Sequence, residues 1–157
     1  LPIIFILENN GYGMGTSQKR HSAGDFCKKA EGFGIKAEKV DGMDVLKVRE
    51  VALKAAEYVR AGNGPMFLEV MTYRYRGHSM SDPGKYRTKD EVEKMRDERD
   101  PIESLRKVIL ETRKYGEDDF KAVEKDVKAV VNASAEFAQE SPEPDPSELW
   151  TDVLVGG

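Results

Sequence analysis

Ile3-Ile4-Phe5-Ile6-Leu7-Glu8-Asn9-Asn10-Gly11-Tyr12-Gly13-Met14-Gly15 decides how this chain is read. Residues 3–7 are large, apolar and uncharged, with Pro2 before them and two amides and a glycine-punctuated loop after them. The run is too short for most helices and is rich in isoleucine. That predicts a strand buried on both faces, as in a parallel sheet covered by helices. Ligands of open α/β sheets sit beyond the carboxyl ends of the strands, so Asn9 and Asn10 stand where a ligand would.

Residues 16–21 are polar and basic without periodicity, an exposed loop. Residues 24–34 carry Phe26, Ala30 and Phe33 at steps of four and three, a short helix. Residues 35–40 mostly alternate and stop at Asp41-Gly42, a strand and a turn. Asp44 is placed to cap a helix reaching about Arg60, with Val45, Val48, Ala52, Ala55 and Val59 along one apolar face. Gly62 and Gly64-Pro65 end it, and residues 66–73 form a second strongly apolar strand. Strand, helix and strand in this order imply parallel pairing through a right-handed crossover. Residues 73–87 are a long loop dense in functional side chains. Helix starts follow at Thr88 with Glu91, a capping-box pattern, and at Asp100 with Pro101 and Glu103. From about Glu117 to Glu140, Phe120, Val123, Val127, Val130, Ser134 and Phe137 make one stripe, expected to be core. The proline-rich tail is extended, with Leu149-Trp150 placed to dock it.

The fold class is therefore α/β followed by a helical segment, divided as 1–87, 88–140 and 141–157. A sequence of 157 residues can bury a core of its own. Because it opens on Leu1-Pro2 directly at a strand, it is expected to be a fragment whose earlier strands precede it. Charged residues make up 34% but the net charge is −4, which speaks against a nucleic-acid-binding surface. Cys27 is the single cysteine, so no internal disulfide forms and a reducing compartment is the simpler expectation. No apolar run approaches the ~20 residues that cross a bilayer. A soluble, intracellular protein is expected.

Asn10 heads the residues that could carry chemistry. An amide oxygen at a strand end is a hard, neutral donor suited to Mg²⁺ or Ca²⁺, and Gly11 and Gly13 let a carbonyl such as that of Tyr12 turn toward the same ion. Two such oxygens need a carboxylate and phosphate oxygens to complete a site. The alternative is that both asparagines only turn the backbone. His78, between Gly77 and Ser79 and near Arg74 and Arg76, could donate to an anion or serve as an acid or base; the alternative is an ordinary surface histidine. His21 is read as structural and Cys27 as a small packed hydrophobe. Glu69 interrupts an apolar strand and is expected to be paired. Ser17, Ser79 and Ser81 lie in loops where a phosphate could meet arginines.

Residues 1–17, Val40-Asp41-Gly42-Met43-Asp44, Gly64-Pro65 and the run Thr72-Tyr73-Arg74-Tyr75-Arg76-Gly77-His78-Ser79-Met80-Ser81-Asp82-Pro83 resemble the alpha subunits of pyruvate dehydrogenase (acetyl-transferring), in the thiamine-diphosphate-dependent 2-oxo acid dehydrogenase family. The similarity runs in register to about residue 110 and more loosely into the tail. It implies a thiamine-diphosphate-binding fold, with Asn10 ligating Mg²⁺ through its side chain and Tyr12 through its carbonyl. It implies that His78 reaches the diphosphate and the reaction centre and is catalytic. It implies a beta subunit in an α₂β₂ heterotetramer, pyruvate as substrate and the lipoyl domain of the transacetylase as acceptor. Ser17 and Ser79 match positions phosphorylated in mitochondrial relatives, whereas Lys85 stands where a further serine is expected. The family's Gly-Asp-Gly and N-terminal cofactor residues are absent, so the chain alone is expected to bind cofactor weakly or not at all and to be inactive. Residues 149–155 resemble bacterial members, implying a cytoplasmic protein, or a matrix protein in a eukaryote. Branched-chain 2-oxo acid or acetoin dehydrogenases are the rival assignments within the superfamily, and a non-catalytic assembly module is the rival outside it.

Overall fold

A computed structural model describes residues 1–153. Leu154 and Val155 of the bacterial-type ending, and the last part of the 141–157 tail, lie outside the described residues. The chain divides into two compact units, Leu1–Glu111 and Thr112–Gly157. The helices after residue 88 that the sequence groups as an extension thus separate, two joining the sheet unit and one falling in the second unit.

The first unit is built on a parallel sheet. Strand β1 (Ile4–Asn9) leads into a small hairpin of β2 (Tyr12–Gly13) and β3 (Thr16–Ser17), followed by the single turn α1 (Gln18–His21). Helix α2 (Phe26–Gly32), strand β4 (Lys36–Asp41), helix α3 (Val45–Arg60) and strand β5 (Met66–Met71) come next. The sheet order is β1-β5-β4, all parallel, with Ile4 and Lys36 both beside Met66 and Asn9 and Asp41 both beside Met71. All three strands therefore end at one level, and their loops emerge at one end of the sheet.

Side chains alternate along β5 and sort the two faces. Met66 and Leu68 are buried with Val40 against Val51, Ala55 and Val59 of α3, and Ile4, Val48, Tyr58 and Val70 pack around them. The Asp44 carboxylate accepts from the N–H groups of Leu46 and Lys47, as the sequence predicts for the start of α3. Glu69 faces the other side, toward α2, whose Ala30 is buried. Phe33, expected on the buried face of α2, is instead exposed: it is the C-cap, and Gly34 at φ +72° turns the chain away.

The opening strand departs from expectation. Among the described residues β1 is an edge strand paired on one side only, and Ile6 is 68% exposed. Burial on both faces belongs to β5, which has a strand on each side and a helix on each face. An uninterrupted apolar run records a sheet interior but not which strand is central.

Helices α4 (Lys89–Arg99) and α5 (Pro101–Glu111) complete this unit. Thr88 Oγ1 accepts from Glu91 N, while the Glu91 carboxylate takes the Tyr73 hydroxyl instead of closing the box. Asp100 caps α5 through the N–H groups of Ile102 and Glu103. The Arg99 guanidinium reaches both oxygens of Asp41 at 2.7 and 2.6 Å, tying α4 to the end of β4. In the second unit, α6 (Glu117–Glu140) starts where Gly116 N donates to Asp119 Oδ2. Val123, Val127, Val130 and Phe137 of its stripe are exposed, not core. A 3₁₀ turn, Pro146–Trp150, leaves Leu149 and Trp150 exposed too, so the expected docking is not seen. Periodicity shows that a helix has an apolar side, and something else must supply the surface that buries it.

Candidate functional site

Of the three loops that leave the carboxyl end of the sheet, those after β1 and β5 carry the candidate residues. The first is closed by its own amides. Asn9 Oδ1 accepts from Gly11 N at 3.0 Å and Asn10 Oδ1 from Tyr12 N at 3.1 Å, two successive side-chain turns around Gly11, whose φ is +81°. Gln18 N donates to Gly11 O at 2.8 Å, and Tyr12 lies opposite Ser17. Bonded and non-bonded pairs alternate along an antiparallel ladder, so the Tyr12–Ser17 pair is non-bonded and the Tyr12 carbonyl points away from β3.

The turn-forming reading of Asn10 is thus correct for one lone pair of its amide oxygen. A carbonyl oxygen carries two, and the second remains available. Asn10 Oδ1 and Tyr12 O are neutral, hard donors on a short glycine loop. They suit Mg²⁺, which takes oxygen ligands and needs about six of them. The donor chemistry fits the ion as part of a site, with the remaining oxygens supplied from outside this loop.

Beneath the loop lies a network that spacing did not reveal. Asn9, 6% exposed, donates through Nδ2 to Gln18 Oε1 at 2.9 Å and to Glu69 Oε1 at 2.7 Å. Glu69 is 1% exposed, and its other oxygen lies 3.1 Å from Lys39 Nζ and 3.6 Å from Cys27 Sγ. Lys39 Nζ also meets Asp25 Oδ2 at 2.7 Å, and Asp25 caps α2 through Lys28 N. The bonds to Asp25 and then Glu69 hold the Lys39 ammonium above its ordinary pKa, and that with Lys39 lowers Asp25. Burial, followed by the Glu69 contact, pushes the Cys27 thiol up to about 11. Asp25, Cys27 and Glu69 have the composition of a metal cluster. The Lys39 ammonium, bonded to both carboxylates, already supplies the positive charge there. The expected pairing of Glu69 is found, and Cys27 is a thiol donor as well as a packed side chain. The signal in the sequence was a lone carboxylate in an apolar strand; its partners lie on three other elements.

The second loop, residues 72–87, is tied down by exposed and half-buried polar groups. Asp82 Oδ2 accepts from His78 N at 2.6 Å and from the Tyr86 hydroxyl at 2.8 Å, and Asp82 Oδ1 accepts from Gly84 N at 2.8 Å. Those donors, the His78 amide first, lower the Asp82 carboxyl to about 2. Arg87 donates to the carbonyls of Arg74 and Arg76. A Cβ on Gly77 would lie 2.7 Å from Asp82 O, so the tight return of the chain requires glycine there.

Tyr86 and Arg74 bring the two loops together. The Tyr86 ring packs on Tyr12 with centroids 5.0 Å apart and lies close over Gly15, where a Cβ would be 3.1 Å from it. Arg74 Nη2 donates to Met14 O at 2.6 Å and to the Tyr86 hydroxyl at 3.1 Å. Tyr12 and the loop of His78 are therefore neighbours. The His78 side chain is exposed while its backbone is anchored. Ser79 is exposed and its hydroxyl lies 3.1 Å from that of Ser81, whereas Ser17 is half-buried in β3. His21 Nδ1 donates to Ser17 O at 2.8 Å, with its ring against Gly13, consistent with a structural role.

Residues 1–147 match the family model described as "Dehydrogenase E1 component". The chain belongs to that family. Its members in general depend on thiamine diphosphate. Among curated relatives, the chain is 54% identical over 156 residues to "Pyruvate dehydrogenase E1 component subunit alpha" of Rhizobium meliloti, covering 99% of this chain and 45% of that protein. It is 50% identical to the protein of the same name from Rickettsia bellii, covering 99% and 48%. It is 52% identical to "Pyruvate dehydrogenase E1 component subunit alpha, mitochondrial" of Dictyostelium discoideum, covering 99% and 41%. The chain spans a little under half the length of these relatives. Among the described residues no helix is long and apolar enough to cross a membrane.

Proposed function

We propose that this chain is part of the alpha subunit of the thiamine-diphosphate-dependent component that decarboxylates pyruvate and passes the acetyl group to lipoamide. The observation that carries the reading is the pair of joined loops at the sheet's carboxyl end, which holds Asn10, Tyr12 and His78 in a chain 54% identical to a protein of that name. Asn10 Oδ1 and Tyr12 O would hold Mg²⁺, with the diphosphate of the cofactor and a carboxylate completing its shell. Thiamine diphosphate, when bound, supplies the electron-accepting chemistry by which a 2-oxo acid loses carbon dioxide. The residues of this chain position and protonate. The Asn10–Tyr12 loop fixes the metal end, and Arg74 and Tyr86 keep the second loop against it. The exposed imidazole of His78, carried on that second loop, would donate a hydrogen bond or move a proton.

The beta subunit, in an α₂β₂ assembly, and the lipoyl domain of the transacetylase are the partners this reading calls for. A bacterial cytoplasm, or a mitochondrial matrix in a eukaryote, is the matching compartment. Ser79, exposed on the His78 loop, and Ser17 are the hydroxyls that a kinase would address. Lys85 cannot take a phosphate, so such control would be incomplete.

The test uses the complete α₂β₂ enzyme with pyruvate, 2-oxoisovalerate and acetoin. Preference for pyruvate is expected, and preference for either other substrate overturns the assignment. His78→Ala is expected to lower lipoamide acetylation by about a hundredfold or more with unchanged melting temperature. A normal rate removes His78 from the mechanism. Asn10→Ala is expected to raise the Mg²⁺ requirement.

A further inference from the structure

We propose that Glu69 is a positioning residue for the loop that would hold the divalent cation, acting through Asn9. The inference rests on the assignment of Asn10 and Tyr12 as metal donors and goes beyond it, because Glu69 itself lies on the central strand and touches neither. Its carboxylate is the most deeply buried charged group described, 1% exposed, and such a group is costly in an apolar strand unless every oxygen is engaged. Here each oxygen has a defined task. Oε1 accepts from Asn9 Nδ2, and Oε2 meets the Lys39 ammonium and the Cys27 thiol.

Every polar atom of the Asn9 amide is engaged by this arrangement. Both hydrogens of its amide are spent, one on Glu69 and one on Gln18, and its oxygen accepts Gly11 N. That fixes which way the amide faces, and the amide in turn fixes the Gly11 turn. Gly11 O receives Gln18 N, and one residue on either side of Gly11 stand the two candidate donors, Asn10 Oδ1 and Tyr12 O. The chain of contacts from Lys39 through the buried Glu69 and Asn9 to Gly11 is thus the support under the loop. Groups behind a metal's own ligands commonly matter in this way, because they set ligand orientation.

A carboxylate is required rather than any acceptor. Glutamine at position 69 could accept from Asn9 through Oε1, but its Nε2 would then face the Lys39 ammonium, donor against donor. Turned around, it would accept from Lys39 and set its amide hydrogens against those of Asn9. Removing the ammonium as well resolves the conflict, since glutamine can then accept from Asn9 freely. The prediction is a loss in Glu69→Gln that Lys39→Met repairs.

The experiment uses the full-length enzyme with its partner subunit, titrated with Mn²⁺ in the presence of thiamine diphosphate and followed by electron paramagnetic resonance, with melting temperature measured in parallel. Glu69→Gln is expected to weaken Mn²⁺ binding about tenfold. The double variant Glu69→Gln/Lys39→Met is expected to return to near the parent affinity, and it carries the test even where the single variant folds poorly. Parent-like affinity in Glu69→Gln overturns the proposal, and so does an equal loss in the double variant. Asn10→Ala separates the two levels. If it too binds Mn²⁺ like the parent, the assignment of the metal donors fails, and the role of Glu69 fails with it.

Discussion

The loops after β1 and β5 leave the same end of the sheet and are opposite in support. The Asn9–Ser17 hairpin is held from below by Glu69, buried and paired with a lysine, and its own side-chain turns lock the top. The 72–87 loop is held from the side by Asp82, Tyr86 and Arg87, none of them buried. The hydrogen bonds are similar in length, so geometry does not separate them. Burial does. A donor orphaned in the interior costs the full desolvation of its group, whereas one orphaned at the surface finds water. The first loop should therefore fail together with the fold, and the second should loosen on its own.

The sharpest way to break that contrast is to remove the buried support. Glu69→Leu orphans one buried N–H of Asn9 Nδ2, and a global loss of about 2–3 kcal/mol is expected in urea denaturation of the full enzyme. Lys39 adds little to this, since it keeps Asp25 as a partner at 2.7 Å. Gly77→Ala is the next strongest test and acts on the second loop. The added methyl would overlap Asp82 O, and relief requires local rearrangement costing about 1–2 kcal/mol. It should appear as faster proteolysis between residues 76 and 84 with only a small change in melting temperature. Arg87→Ala frees the carbonyls of Arg74 and Arg76 at a half-exposed site, so under about 1 kcal/mol is expected. Its sign is again loop cleavage without global unfolding. If either loop variant instead lowers global stability as much as Glu69→Leu, the contrast is wrong.

Cys27 gives the smallest and most local readout. Its thiol is raised from an ordinary 9.0 to about 11, so the folded state holds the proton more tightly than the unfolded chain. The resulting contribution to stability is present below pH 9.0 and is lost as pH rises toward 11. Native protein should react slowly with iodoacetamide up to pH 9, and Glu69→Gln should speed the reaction by weakening the contact that follows burial in importance. Rapid alkylation of the native parent at pH 8 contradicts the half-buried, Glu69-paired thiol.

Much of the architecture was legible beforehand, because it depends on signals local in the chain. The cap at Asp44, the cap at Asp100, the glycines that end α3 and the strand–helix–strand crossover were all readable within a few residues. The turn made by the amides at the end of β1 was readable too. What escaped were the facts that depend on neighbours. Phe33 fits the helical period but falls one residue past the last helical turn. Glu69 announced that it needed partners, yet Asn9 lies 60 residues away, and nothing in the spacing of either names the other. The link from Tyr86 and Arg74 to Tyr12 and Met14 escaped for the same reason.

The sequence by itself determined the elements, their parallel arrangement and the turn-forming amides and glycine of the Asn9–Tyr12 loop. Those follow from the period of apolar residues, from capping chemistry and from glycine's freedom at φ +81°, all of which act over a few residues. Only the tertiary structure decided that β5 is the strand with a neighbour on each side among the described residues, and which carboxylate supports which amide. Burial and pairing between distant residues are properties of the packed chain, because an uncharged run is compatible with either place in a sheet and a buried charge is tolerated only where the fold brings its partner.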